Sequence, residues 1–81
     1  MKFERIKSDK SKRYKNYFFI TEEIREAVIK LSEKVKSNRK LTKLIGYKGG
    51  SQAYNIMYGR QSSIHGSIIT NIEKLCDECG I

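Results

Sequence analysis

The sequence contains little of several residue types, and each shortage excludes a class of protein. It has no proline, no tryptophan, one histidine and two cysteines. Two cysteines cannot hold together a secreted disulfide scaffold, so we expect a reducing, intracellular location. No apolar run approaches the ~20 residues that a membrane span needs. The lysines near the start are not followed by the apolar stretch of a signal peptide. We therefore expect a cytoplasmic protein that has no membrane partner.

The same shortages leave no constellation for catalysis or metal binding. The central region has no paired carboxylates, and no glycine-rich phosphate loop follows a strand. Cys76 and Cys79 form a lone CxxC motif, and with only His65 to help, one chain cannot supply four zinc ligands. Two chains could supply four thiolates across a dimer, whereas a redox role would need the motif at a helix N-terminus. We predict no enzymatic activity, metal, cofactor or small-molecule ligand. We also predict that Cys76 lies in the core, that Cys79 is partly exposed, and that His65 is a helix cap or surface residue.

Acidic residues are missing from a long central stretch. The net charge of +8 is large for 81 residues, and its distribution is more informative: residues 34–72 contain no Asp or Glu, and residues 38–60 carry five Lys or Arg. A cationic surface without acids attracts polyanions, and DNA or RNA is the common polyanion inside a cell. The alternative is a solvated surface adapted for solubility, but such surfaces usually mix both signs.

Four short helices are predicted from apolar residues at helical spacing and from capping residues. Their predicted bounds are Thr21 to about residue 36, Ser37 or Asn38 to Gly46, Ser51 to about residue 58, and about residue 64 to Gly80. Their inward faces are Ile24, Val28, Leu31 and Val35; Leu41, Leu44 and Ile45; Ala53, Ile56 and Met57; and Ile64, Ile68, Ile69, Ile72, Leu75 and Cys76. The predicted fold class is therefore mostly α, a small four-helix domain over residues 21–81.

Residues 1–20 do not have a helical pattern. "SDKS" is typical of a turn and "YKNYFFI" of a strand. A short β-hairpin of residues 2–7 against residues 13–20 is one interpretation, and a disordered basic arm is the other. The segment carries cations that could reach DNA backbone or a minor groove, or could protect a hairpin edge from aggregation. These cations are Lys10, Lys12, Arg13 and Lys15.

Glycines divide the stretch "LTKLIGYKGGSQAYNIMYGR" into two helical segments. A helix that lies in the DNA major groove needs a tight turn before it, so that a preceding helix can brace it. Gly46 can adopt the positive φ that begins such a turn. Ala53 is small enough to let the two helices approach, and Ile45 and Ile56 can fill the angle between them. The pattern therefore favours a helix-turn-helix.

On these residues the sequence resembles the Cro and phage-repressor (XRE-like) helix-turn-helix domains. "LTKLIGY", "AYNIMYGR" and "IITNIEKLCDECGI" follow the family pattern in order, over about residues 24–81. Two departures are visible: Thr42 stands where alanine is usual, and the Gly46-to-Gly59 interval is one residue longer. We place the extra residue at Gly49-Gly50.

The resemblance implies sequence-specific binding of double-stranded DNA by a nucleoid-associated transcriptional regulator, expected to be a repressor of phage or mobile-element type. The third helix would supply the base contacts, from Ser51, Gln52, Tyr54, Asn55 and Tyr58. Arg39, Lys40, Lys43, Lys48 and Arg60 would contact phosphates. The alternative for Tyr54 and Tyr58 is a place in the core or in a dimer contact.

A homodimer is expected, because one short helix reads too few base pairs for useful specificity. Ile81 with the fourth helix, or the "YFFI" segment paired as strands, are candidate dimer surfaces. Two other functions stay open: a protein-interaction module, antitoxin-like or an inhibitor, that grips an acidic protein, and non-specific nucleic-acid binding, RNA included.

Overall fold

Four helices and a short two-stranded antiparallel sheet make up the described part of the chain, residues 1–9 and 14–81 of a computed structural model. The elements in chain order are β1 (Tyr17–Phe19), α1 (Glu22–Val35), α2 (Asn38–Leu44), α3 (Gln52–Met57), β2 (Ser63–His65) and α4 (Gly66–Glu78). The predicted mostly helical class, with four helices, is confirmed.

Helix α1 is the central element, because it contacts each of the other three helices. It begins as predicted at Thr21, whose hydroxyl accepts a hydrogen bond from the Ile24 amide. Ile24, Val28 and Leu31 are fully buried. It ends where Lys36 adopts a left-handed conformation, with φ of 61°.

The remaining core comes from the inward faces of α2, α3 and α4, close to the prediction. Leu44 is the exception on α2, because it is 46% exposed although its spacing predicted an inward position. It is near the end of a seven-residue helix, on the side where α4 presents Asn71, Lys74 and Leu75 around a shallow surface groove. Residues that are fully or nearly fully buried on these helices are Leu41, Ile45, Ala53, Ile56, Met57, Ile68, Ile69, Ile72 and Cys76.

A buried hydroxyl joins α2 to α3. The Thr42 hydroxyl donates to the Asn38 carbonyl at 2.8 Å and accepts from the Ala53 amide at 3.1 Å. Ser51 occupies the cap position of α3 as predicted, but its side chain makes no capping hydrogen bond. Because Thr42 satisfies a buried amide of the first turn of α3, it fixes where that helix begins relative to α2.

Replacing Thr42 with the nearly isosteric valine should therefore lower the free energy of unfolding by about 2 kcal/mol, since the buried Ala53 amide loses its acceptor. Thr42→Ser is the matched control: it keeps the hydroxyl and loses only a methyl group, worth about 0.8 kcal/mol. Urea unfolding of the three proteins measures both values. A valine variant more stable than the serine variant would show that the hydrogen bond does not hold the joint.

The sheet corrects the prediction for the start of the fourth helix. Ile64 belongs to β2, not to the helix, and pairs antiparallel with Phe18. Helix α4 begins after His65, whose ring accepts a hydrogen bond from the Ser67 amide, so the predicted role of His65 as a cap is confirmed. Ile64 is buried all the same, because one face of this sheet packs on the core.

The predicted N-terminal hairpin is correct only near one end. Lys7 forms a single antiparallel bridge with Phe18, and the Phe19 amide donates to the Ile6 carbonyl at 2.8 Å. Residues 2–5 instead run along α4, where Phe3 enters the core with 6% of its surface exposed. The long hairpin is wrong for residues 2–5 because an aromatic side chain gains more from burial than an edge strand would give it.

Glu73 of α4 holds this N-terminal segment in place. Its carboxylate accepts from the Phe3 amide at 2.7 Å and from the Arg5 guanidinium at 3.0 and 3.2 Å. Burial of the carboxylate raises its pKa, but the bonds from Arg5 and Phe3 and the charges of Arg5 and Lys2 outweigh burial and hold the pKa of Glu73 below its usual value. Arg5 is thus neutralised within the fold.

Candidate nucleic-acid interface

One surface of the molecule gathers the acid-free cations. It is formed by α2, the turn of residues 45–51, α3 and the residues up to Arg60, and we refer to it as the α2–α3 surface. Its cations are exposed, and none of them makes an ion pair within residues 1–9 and 14–81. They are Arg39, Lys40, Lys43, Lys48 and Arg60.

The carboxylates that do form ion pairs lie elsewhere. Glu22 pairs with Arg25 on α1, Glu73 with Arg5, and Asp77 with the N-terminal amine. Within the described residues no carboxylate pairs with a cation of the α2–α3 surface, so these cations are available to an anionic ligand.

Helix α3 presents alternate sides to the core and to solvent. Ala53, Ile56 and Met57 face inward as predicted. On the other side Tyr54 is 37% and Tyr58 65% exposed, which excludes the alternative that either tyrosine belongs to the core. Ser51 is exposed and Asn55 is half-buried, so Ser51 is the more accessible of the two to a ligand.

Gln52 is less accessible than the sequence suggests. The residue is half-buried, and its amide oxygen is buried with no hydrogen-bond partner within the described part of the chain. It folds toward Gly50, where an added Cβ would lie 2.9 Å from that oxygen. The side chain must rotate outward before it can contact a base.

The turn between α2 and α3 is fixed to α4 at Gly46. Gly46 has φ of 114°, and an added Cβ would lie 2.7 Å from the Asn71 amide nitrogen and 3.1 Å from an Ile68 methyl carbon. The same Asn71 nitrogen donates to the Ile45 carbonyl at 3.0 Å. Both the backbone conformation and the close approach of α4 therefore favour glycine at position 46.

The far end of the turn leads into a small groove between the starts of α2 and α3. Asn38, Arg39, Gly50, Ser51 and Tyr54 line it. Its walls are polar or cationic side chains and exposed backbone, and no residue of this set is acidic. The groove therefore combines a cation with polar groups from the starts of both helices.

Tyr54 of α3 and two side chains that follow this helix form a cluster that the spacing of the sequence did not reveal. The Tyr54 and Tyr58 ring centroids are 4.5 Å apart with the planes tilted by 42°. The Arg60 guanidinium carbon lies 5.4 Å from the Tyr54 ring centroid. A cation at this distance from a ring is attracted by its electron density. An aromatic residue six positions before an arginine, across a helix-ending Gly59, is the signal that was available in the sequence.

Tyr47 and Gln61 support the edge of this surface and were not predicted as part of it. The Gln61 side-chain amide donates to the Tyr47 hydroxyl at 3.2 Å and to the Ser63 carbonyl at 3.0 Å. Burial raises the pKa of Tyr47, and the bond from Gln61 offsets only part of that effect. The phenol therefore stays protonated at neutral pH and ties the turn to the residues that follow α3.

No protein family model, curated protein or solved structure matches this chain. The function has to be inferred from the surface itself.

The other predicted site residues are more dispersed. Lys10, Lys12 and Arg13 lie outside the described residues, and Lys15 is exposed beside β1. The CxxC motif lies at the end of α4, where Cys76 is completely buried and Cys79 is half-buried, as predicted. Burial raises the pKa of the Cys76 thiol. Within the described ranges no three His, Cys, Asp or Glu side chains form a group able to hold a metal ion. No helix there is long and apolar enough to cross a bilayer.

Proposed function

We propose that this protein binds double-stranded DNA through the α2–α3 surface, as a helix-turn-helix of the Cro and phage-repressor type. The observation that carries the proposal is a set of five exposed cations, without ion pairs to the residues that the structure describes, around a short helix that offers polar and aromatic side chains to solvent. Backbone phosphates are the ligand that such cations neutralise, and base edges are the ligand that the side chains between them can read.

The internal geometry supports the same proposal. Helix α3 is held by the Thr42 hydroxyl on one side and by the Gly46–Asn71 contact at the preceding turn. A reading helix needs such support, since its side chains must meet base edges in a fixed register. The family resemblance over about residues 24–81 adds to this support.

The chemistry of α3 also bears on the DNA sequence. Between Lys48 and Arg60 there is no Lys or Arg, so the paired contact of arginine with guanine is not available from within the helix. Asn55, and Gln52 once its side chain turns outward, can each bond adenine N6 and N7 together. We therefore propose a site rich in A·T pairs, read with Ser51, Tyr54 and Tyr58, and contacted as a two-fold site by a homodimer that regulates transcription.

Selection from a random duplex pool tests the proposal. The protein should enrich a defined sequence at ~150 mM salt and bind it well above bulk DNA. Equal, weak binding of all duplexes would instead favour a protein-binding or non-specific nucleic-acid function and would reject specific recognition.

Two alanine variants separate the roles proposed for the surface. Asn55→Ala should relax the preference at one base pair by about 1 kcal/mol, roughly fivefold. Lys48→Ala should weaken binding to all sequences alike and reduce the salt dependence by about one phosphate. Binding titrations on the selected duplex and on single-base variants of it measure both effects. If the two variants behaved identically, the division into base and phosphate contacts would be wrong.

A further inference from the structure

Both the backbone and the side chain of Arg60 contact residues of α3. After α3 the chain reverses at Gly59, which has φ of 72°, and the Arg60 amide then donates to the Asn55 carbonyl at 2.9 Å. This turn brings the guanidinium back over the Tyr54 ring, 5.4 Å from its centroid. The position of Arg60 is therefore set by both backbone and ring.

The position of the guanidinium over the Tyr54 ring leaves its N–H groups able to bind an anion. A guanidinium that lies on a ring uses its face, whereas its N–H groups point outward in its plane, where they can bond two oxygens of one anion. No carboxylate within the described residues pairs with Arg60. The group is thus held in place but unoccupied, so little side-chain freedom remains to be lost when an anion binds.

Tyr54 and Tyr58 form the support for this arginine. Their rings are in contact at 4.5 Å, so Tyr58 restricts the movement of the Tyr54 ring. Both rings are exposed, and burial in the core does not account for their contact. An unsupported arginine at the same place would sample many rotamers and would lose that freedom on binding.

We propose that Tyr54 is a positioning residue that holds Arg60 for one backbone phosphate of the bound duplex, with Tyr58 supporting the Tyr54 ring. This inference rests on the proposed DNA-binding function and deepens it, because it moves the main role of Tyr54 from base contact to support of a phosphate contact. The ligand is a phosphodiester, recognised by two parallel N–H groups of Arg60.

A double-mutant cycle on the selected duplex tests the inference. Arg60→Gln should lower affinity about fivefold at ~150 mM salt and reduce the slope of log K against log salt by about 0.9. Tyr54→Leu should lower affinity about threefold, and adding it to Arg60→Gln should cost nothing further, because the support has nothing left to hold. Tyr54→Phe keeps the ring and should therefore lose less affinity than Tyr54→Leu.

The matched control is Tyr54→Leu combined with Lys48→Gln, whose effects should multiply because Lys48 does not contact the ring. If the effects of Tyr54→Leu and Arg60→Gln also multiplied, or if Tyr54→Phe lost as much affinity as Tyr54→Leu, the positioning role would be overturned.

In the free protein, the Arg60 side-chain protons should show an upfield ring-current shift in NMR spectra that disappears in Tyr54→Leu. Absence of that shift would overturn the stack even if a variant failed to fold. A wild type that binds no duplex would reject both this inference and the proposed function, whereas multiplicative effects in a wild type that binds would reject only the inference.

Discussion

Replacing Arg39 and Lys43 together with glutamine is expected to weaken duplex binding about 30-fold at ~150 mM salt and to reduce the salt slope by about 1.8. Both residues are exposed on α2 and, four positions apart, lie on one side of that helix. Each phosphate that a cation neutralises releases about 0.9 counterion into the solution. The free energy gained from this release vanishes near ~1 M salt. Relative to that condition, one contact raises the affinity about fivefold at ~150 mM salt, and two contacts raise it about 30-fold.

Lys30→Gln with Lys34→Gln is the matched control, because it removes the same total charge. Both lysines are exposed on α1. Lys30 lines one cleft together with Glu23 and Glu26, and both lysines line a second cleft together with Glu33. These clefts include residues of the two chain ends, away from α3, so the control should change affinity only a few-fold through the overall field. Titrations at several salt concentrations compare the two doubles. Equal losses in the two would mean that net charge, not the α2–α3 surface, drives binding.

Gly46→Ala is expected to lower the free energy of unfolding by about 3 kcal/mol. A φ of 114° is strained for any residue with a Cβ, and the added carbon would lie 2.7 Å from the Asn71 amide nitrogen. Relief requires Asn71 to move, which breaks its hydrogen bond to the Ile45 carbonyl. The strain is worth about 2 kcal/mol and the lost bond about 1 kcal/mol.

Gly80→Ala is the comparison variant, because it places an alanine at a positive φ where no neighbour is close. Gly80 has φ of 71°, and nothing lies within 4 Å of an added Cβ, so the variant should lose only about 1 kcal/mol. Chemical unfolding of both variants gives the comparison. If Gly46→Ala cost no more than Gly80→Ala, the close contact between the turn and α4 would not be required for stability. In the proposed function, residual folded Gly46→Ala should also bind the selected duplex less tightly, because the start of α3 shifts.

The helices were predictable because each rests on local signals. Thr21 caps α1, Gly46 begins the turn after α2, and the inward face of α3 follows from the spacing of Ala53 and Ile56. These signals act within one or two turns of helix, where a sequence pattern and its structural consequence involve the same few residues.

The errors lie where distant parts of the chain meet. Ile64 fits the helical spacing of α4, but pairing with Phe18, far away in sequence, draws it into a strand. Phe3 was expected in a hairpin or in a disordered arm, and it enters the core instead, where the Glu73 carboxylate accepts a hydrogen bond from its amide. Neither partner can be chosen from local spacing, because each contact spans more than forty residues.

The candidate site divides in the same way. The exposed cations of α2 and the outward position of Tyr54 follow from helical spacing and charge. The hydrogen bond from Ala53 to Thr42, the stack of Arg60 on Tyr54 and the burial of the Gln52 amide depend on side-chain conformation, which periodicity does not encode. The sequence could indicate which residues form the α2–α3 surface. The structure distinguishes the residues that position others from those that remain available to a ligand.

Amide chemical-shift mapping with the selected duplex tests the central proposal most directly. If the α2–α3 surface binds DNA, the largest shifts on titration at ~150 mM salt should fall within residues 37–61, with α1 around Lys30 and the end of α4 near Cys79 almost unchanged. Largest shifts around the chain ends and α1, with residues 51–60 unaffected, would contradict the proposed interface.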